Sequence, residues 1–474
     1  MVLCTKCTWF IKCFLLFICI ESCHAGNSQQ GAITDTGYVK EKLSKDTFAA
    51  GKLMPIIVCK ADAGKSYALY IPANKNKTDL PVIYFFDPHA DGAGTLNRYT
   101  NLAERYGFIL VASNNSKNGN DWSTEENIWN ILSTDSRQRL NIDTARMYVC
   151  GFSGGAKAAT YIALLHPGIS AVIACGAVLP EMLRDGNLNF TFTAITGEGD
   201  LNRSDLVATD NSLNNTDTKH RIIYFDGIHE WPPAPVMDIA FAGLQFDAMA
   251  KKLIAPDSLF INKYISESQK RINGFLQKNN QLRAEAECIV SIKLLTGLTD
   301  AANWFAEKDK AIKSSKAYEE QLAIAAKLQE REQEIKALYQ QRFQQADMSY
   351  WVKEINDVMV KSKLPGTEAA MYQRLKAYLS LAFYSISNQH INSSQDAAAQ
   401  HFVSLYKLVD DSNSEAWYFS AILNARAKNA EQAKADLLKA ISKGFNNKTR
   451  LMQQPEFQQS GLLINVNEII SAIK

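Results

Sequence analysis

RMYVCGFSGGAKAATYIALL, residues 146–165, changes character twice within twenty positions. Arg146 to Cys150 is β-rich and apolar. Gly151-Phe152-Ser153-Gly154-Gly155 has the composition of a tight turn. Ala156 to Leu165 carries the alanine and leucine content of a helix. The stretch reads as strand, sharp turn, helix, with Ser153 at the apex. G-x-S-x-G alone is a weak signal, because glycine and serine are common. The strand–turn–helix setting strengthens it, since such a turn strains the serine backbone and stands its hydroxyl above a sheet edge. Gly151 and Gly155 leave room where the turn has none for side chains. The helix N-terminus beside Ser153 favours negative charge developing there. Ser153 is therefore the candidate nucleophile.

Outward from this stretch, short β-rich runs alternate with helical patterns between residues 51 and 252. The runs are Met54–Lys60, Ser66–Ile71, Pro81–Phe86, Phe108–Ser113, Met147–Cys150, Ala171–Cys175, Thr191–Thr196 and Arg221–Phe225. Helices are expected at Leu96–Tyr106, Trp122–Leu140 and Ala156–His166. Several runs are continuously apolar, as strands buried on both faces are. The expected fold class is α/β, a mostly parallel sheet with helices on both faces, followed by an all-α helical-repeat domain. From 253 to 474 the chain is rich in Ala, Leu, Lys, Glu and Gln, and Ala317–Gln345 reads as one long helix. Ala399, Val403 and Tyr406 recur as Ala433, Leu437 and Ala440, each shifted by 34 residues. That period, with small residues where paired helices touch, points to tetratricopeptide-like hairpins.

A serine hydroxyl is a weak nucleophile until a base takes its proton. Thr191–Thr196 is followed by Gly197-Glu198-Gly199-Asp200, and Arg221–Phe225 by Asp226-Gly227-Ile228-His229-Glu230-Trp231-Pro232. Asp200 and His229 thus each sit in a loop just past a strand end, where open α/β sheets build their sites. His229 would take the Ser153 proton and return it to the leaving group, with Asp200 orienting the imidazole. Glu198 and Asp205 lie close enough in sequence to compete for the role of Asp200. The Gly154 amide would donate to an oxyanion. A second donor is expected in the loop Asp87–Gly92, with His89 the candidate. Trp231 either lines the substrate pocket or packs beneath the His229 loop. His166, His220, His390 and His401 are worse placed.

Residues 53 to about 250 resemble α/β-hydrolases of the branch that holds feruloyl-esterase-like and polyhydroxybutyrate-depolymerase-like secreted esterases. The matching residues are Ile142-Asp143 and Arg146 ahead of GFSGG, and His229-Glu230-Trp231-Pro232, which is similar to that branch's His-x-Trp-Pro. The resemblance implies a carboxylic ester substrate, such as an acylated sugar, an aromatic ester or a short polyester. A serine peptidase on the same fold is the nearest variant. The chain departs from the branch at the oxyanion loop, where Asp87-Pro88 replaces His-Gly and His89 follows. A different class of reading is an inactive hydrolase-fold scaffold whose helical repeats bind a protein partner, because concave repeat surfaces usually do.

With 474 residues, 46% of them apolar, the chain is long enough for more than one core. A formal net charge of +2 without long runs of one sign gives no support for a nucleic-acid partner. Lys6, Lys12 and the apolar Cys13–Ile20 read as a signal segment over 1–25, too short to span a bilayer comfortably. Cleavage is expected either after Cys23-His24-Ala25 or at a loose lipobox ending in Cys23. Both imply export, to a periplasmic, lipid-anchored or extracellular place, with membrane contact only through a lipid on Cys23. Residues 26–50 read as a linker. Of nine cysteines, Cys59, Cys150, Cys175 and Cys288 lie beyond that segment, without C-x-x-C spacing. Cys150 and Cys175 are expected as buried thiols, with a disulfide between them as the alternative. No metal site and no cofactor are expected. Gly64-Lys65-Ser66 ends like a phosphate-binding loop, but Cys59 stands where its first glycine belongs.

Overall fold

The computed structural model describes residues 46–73, 79–179, 186–345, 347–458 and 469. The expected signal segment 1–25, Cys23 with it, and residues 26–45 of the expected linker lie outside the described residues. The chain forms two compact units, residues 1–144 and 145–474. The boundary expected at 252 falls within the second.

The first unit holds β1 (Met54–Val58), β2 (Ser66–Tyr70), β3 (Leu80–Phe86), α1 (Gly92–Asn97), α2 (Thr100–Tyr106), β4 (Ile109–Ser113) and α3 (Trp122–Arg139). β2 runs antiparallel to β1 and to β4, while β3 and β4 are parallel. Every residue of β3 and β4 is buried, which is why both read as unbroken apolar runs. The helix expected at Leu96–Tyr106 is divided. Asp91 caps α1 by accepting from the Gly94 N–H, and the break that follows turns the Tyr99 ring onto Phe85 at 5.9 Å. α3 is held against β3 by Trp129, whose ring meets Tyr84 edge-on at 5.0 Å. Asp135 of α3 accepts from the Tyr67 hydroxyl of β2 at 2.9 Å, so its buried carboxylate is satisfied.

The chain continues with β5 (Ile142–Phe152), all but its first three residues in the second unit, and then α4 (Gly154–Leu165), β6 (Ala171–Cys175), β7 (Thr191–Gly197), α5 (Arg203–Leu213), β8 (His220–Phe225) and α6 (Ala234–Ala250). β5, β6, β7 and β8 are parallel neighbours. The eight-stranded sheet has the order β1-β2-β4-β3-β5-β6-β7-β8. The register pairs Phe152 with Cys175, Cys175 with Ile195, and Gly197 with Phe225, so these strands end at one edge. Cys150 and Cys175 are buried free thiols. Burial pushes the Cys150 thiol well up from its ordinary value, and the Cys175 side chain adds to it.

Among the described residues ten further helices follow: α7 (Ser258–Gln277), α8 (Gln281–Leu295), α9 (Ala302–Lys313), α10 (Lys316–Arg342), α11 (Met348–Lys361), α12 (Thr367–Asn392), α13 (Asp396–Val409), α14 (Ser414–Arg426), α15 (Ala430–Ser442) and α16 (Lys448–Gln453). Many start where a short polar side chain accepts from the first turn: Asp257, Asn280, Ser315, Asp347, Asn413 and Asn429 each do so. α8 packs on β8, and α7 joins α6 through Phe246, whose ring lies 5.0 Å from Phe260 and from Tyr264. Farther on, Trp351 is fully buried against Phe343 and Phe383. The residues that repeat at 34, Ala399, Val403, Tyr406, Ala433, Leu437 and Ala440, are all buried in this core on α13 and α15. Among the described residues no helix is long and apolar enough to cross a membrane.

One buried ion pair joins α6 to the sheet. Arg221 of β8 is fully buried and donates to both carboxylate oxygens of Asp247, which Lys219 also contacts at 2.8 Å. Burial opposes ionisation of Asp247, but the charges and hydrogen bonds of Arg221 and Lys219 outweigh it and hold its carboxyl below the usual range. A depressed folded pKa stabilises the fold above the unfolded value, and that contribution is lost as pH falls through the folded value. Asp247→Asn is expected to lower stability at pH 7 by about 3–5 kcal/mol, because it leaves the Arg221 charge buried and unpaired. Thermal unfolding should show the gap between variant and parent narrowing as pH falls below about 4, where the unfolded chain's carboxyl starts to take up a proton that the folded one resists.

Candidate active site

Ser153 sits between β5 and α4 with φ 53 and ψ −121. A non-glycine residue held there carries about 1–3 kcal/mol of strain, and the surroundings must enforce it. They do so through the backbone. The Ser153 N–H donates to the Cys175 carbonyl of β6 at 2.9 Å, and the Ser153 carbonyl accepts from Ala156 N at 3.0 Å to open α4. A side chain on Gly151 would run into the backbone carbonyl of Gly155. Serine at a helix N-cap normally turns its hydroxyl back onto the first turn. Here it makes no such bond, and its Oγ lies 2.9 Å from His229 Nε2.

His229 follows β8 in a loop that leads through Pro232 and Pro233 into α6. Its Nδ1 lies 3.0 Å from Asp200 Oδ1. An ionised carboxylate only accepts, so Nδ1 carries the proton and Nε2 presents its lone pair to the serine hydroxyl. Asp200 is 1% exposed, whereas Ser153 and Gly154 are half-buried and reachable. Oδ1 of Asp200 also accepts from the Asn202 N–H at 2.9 Å, and the Asn202 side chain donates to the Gly176 carbonyl at 2.8 Å. The acid is therefore aimed by its own loop and by the end of β6. Glu198 is committed elsewhere, to Arg203 at 2.9 Å, and Asp205 lies in the first turn of α5. His220 is occupied by the Thr218 carbonyl and Asn214.

Gly154, the expected oxyanion donor, is the first residue of α4, where the backbone N–H groups have no partner within the helix. Trp231 is 9% exposed and packs on Phe152, whose ring centroid is 5.5 Å from that of Trp231 and 4.7 Å from that of His229. His89 belongs to the first unit. Its backbone N–H is already donated to Asp87 Oδ1 at 2.8 Å, and its ring is exposed. Among the described residues, no cluster of three or more His, Cys, Asp or Glu is arranged to hold a metal ion.

Phe152, Asn202 and Gly176 escaped the sequence reading. Asn202 had a local signal, because an Asp and an Asn two apart suit a turn in which the first side chain accepts from the later amide. Gly176 had none. It takes φ +67, and a Cβ there would stand 2.9 Å from the Phe152 ring, 3.0 Å from Asp200 Oδ2 and 3.2 Å from His229 Cε1.

Strand order, with Ser153 after β5, Asp200 after β7 and His229 after β8, makes this an α/β-hydrolase fold. No family model matches the chain, and no curated protein matches it in sequence. Among solved structures it is similar to a ferulic acid esterase, at 14% identity over 41% of this chain and 97% of that one, with a TM-score of 0.33. It is also similar to an S-formylglutathione hydrolase from Agrobacterium tumefaciens, at 16% identity over 41% and 93% of the two chains, with a TM-score of 0.34. A third is fluorophosphonate-binding serine hydrolase F from Staphylococcus aureus, at 10% identity over 42% and 99%, with a TM-score of 0.34. Likeness at this level carries no argument about chemistry, which stands on the geometry of Ser153, His229 and Asp200.

Gly176→Ala should slow the reaction of Ser153 with a fluorophosphonate by about 100-fold, the usual scale for an ångström of misplacement. Gly107→Ala is the control. Gly107 has φ +70 and nothing within 4 Å of an added Cβ. Both variants should lose stability to the same backbone strain, read by thermal unfolding, while only Gly176→Ala loses reactivity.

Proposed function

We propose that this chain is an exported serine hydrolase that cleaves carboxylic esters through an acyl-enzyme on Ser153. The observation that carries the reading is the unbroken relay from Ser153 Oγ to His229 Nε2 at 2.9 Å and from His229 Nδ1 to Asp200 Oδ1 at 3.0 Å. In the first step His229 Nε2 takes the Ser153 proton as Oγ bonds to the ester carbonyl carbon. The carbonyl oxygen becomes an oxyanion, to which the Gly154 amide at the start of α4 donates. The oxyanion then collapses, the bond to the leaving alcohol breaks, and the imidazolium returns its proton to that alcohol. Water repeats the sequence against the acyl-enzyme: His229 takes its proton, the acid leaves, and Ser153 recovers its hydroxyl. Asp200 stays ionised, holding the imidazole in one tautomer and stabilising its charged form.

Esters are favoured over amides by the resemblance at residues 229–232. Export rests on the basic and apolar pattern of residues 1–25.

Labelling the whole protein with a fluorophosphonate and mapping the adduct by mass spectrometry tests the reading. Covalent modification of Ser153, absent in His229→Ala and accompanied by hydrolysis of 4-nitrophenyl acetate, is expected. Asp200→Asn should fold normally and lose about 10⁴-fold in kcat. Folded protein that neither labels at Ser153 nor cleaves the ester overturns the proposal.

A further inference from the structure

Asp200 sits in the loop Gly197-Glu198-Gly199-Asp200, in which two glycines flank Glu198. Such a segment is soft, because glycine restricts the backbone least. Its position is nonetheless determined at every residue. The Glu198 N–H donates to the Phe225 carbonyl at 3.0 Å and the Gly199 N–H to the Gly227 carbonyl at 2.8 Å, which ties the acid loop to the base loop. The Glu198 carbonyl is taken by a residue 176 positions away: Arg374 of α12 donates to it from Nη1 at 2.5 Å.

Arg374 is itself held. Its Nε and Nη2 donate to Glu332 Oε2 of α10 at 2.8 and 2.7 Å, and Lys336 pairs with the same carboxylate at 2.6 Å. Burial opposes the charge on Glu332, but Arg374 and Lys336 outweigh it and keep the carboxyl below the usual glutamate range. The guanidinium is planar and bonded on two edges, so it presents Nη1 in one direction only. Gln373, just before it on α12, lies against Gly199, where an added Cβ would run into its Oε1. The base loop is gripped in the same manner. Arg283 of α8 donates to the Tyr224 carbonyl at 2.7 Å and to Asp226 Oδ1 at 2.8 Å.

We propose that Arg374 is a positioning residue for the relay: from α12 it fixes the carbonyl two residues before Asp200, and so makes the helices after α6 a working part of the active site. The proposal rests on the hydrolase reading above. Arg374 touches no reacting atom. It acts through Asp200, and its loss lets the carboxylate wander from His229 Nδ1.

The test uses the full chain. Rates of Ser153 labelling by a fluorophosphonate, and kcat and KM on 4-nitrophenyl acetate, are measured for the parent, Arg374→Ala, Arg374→Lys and Arg426→Ala. Arg426 pairs with Glu456 and Asp396 and serves as the control for a lost ion pair elsewhere among the helices. Arg374→Ala is expected to lower kcat about 10–100-fold with KM within about two-fold. Arg374→Lys should recover part of the loss, and Arg426→Ala should cost stability only. The deciding comparison is the same substitution in Asp200→Asn, where it should cost almost nothing further, because a residue acting through Asp200 has nothing left to position. A full additional loss in that background, an equal loss in Arg426→Ala, or parent rates in Arg374→Ala overturns the inference. Should Arg374→Ala not fold, Arg374→Lys carries the same cycle, with a smaller loss expected in the parent background and almost none in Asp200→Asn. A parent protein that fails to label at Ser153 overturns the hydrolase reading itself, a result separate from labelling that is indifferent to Arg374.

Discussion

The backbone of Ser153 occupies a conformation that a non-glycine residue adopts only under constraint, and the sheet supplies it. β5 delivers the chain to the turn, the Cys175 carbonyl of β6 accepts the Ser153 amide, and α4 starts at the next residue. The strain stays local, whereas the ladder that opposes it extends through β5, β6, β7 and β8. Parallel register then does the rest. Strands that pair Phe152 with Cys175 and Gly197 with Phe225 end together, so the loops carrying Asp200 and His229 open at the same edge as the turn.

Burial of a carboxylate is the second constraint. Asp200 is almost wholly out of water and is tolerated because the Asn202 amide and the His229 ring both donate to it. Those donors are useful only while the loop holds still, and a Gly-Glu-Gly lead-in does not hold itself. The bonds from Glu198 and Gly199 to the base loop, and from Arg374 and Arg283 to the two loops, supply the stiffness from outside. The two guanidiniums differ from Arg221, which is buried against Asp247 and joins α6 to β8 without approaching the relay. Compactness follows the same line: β5 from Ala145 onward, β6, β7 and β8 belong to one unit with the helices that follow them.

Much of the fold was legible because its signals are local. Ala171–Cys175 and the two-face burial of β3 were apparent as apolar runs, and α3 and α10 as helical stretches ending near Arg139 and Arg342. Departures have physical causes. β5 extends back to Ile142 through Asp143 and Thr144, polar residues that weaken its strand signature. The helix expected at 96–106 breaks because Tyr99 turns onto Phe85, a contact made across the core. Of the three acids near the relay, periodicity could not choose, since Glu198, Asp200 and Asp205 all lie just past β7.

By itself the sequence determined the strand–turn–helix at Ser153, the chain order in which Ser153, Asp200 and His229 follow strand ends, and the change from strands to helices after residue 252. Each is written in neighbouring residues: glycines around a serine, apolar runs ended by loops, alanine and leucine at helical spacing. Only the tertiary structure decided which acid bonds His229, why Gly176 has no room for a side chain, and that Arg374 reaches the Glu198 carbonyl. These depend on groups brought together from distant parts of the chain, and such contacts leave no spacing in the sequence from which they could be read.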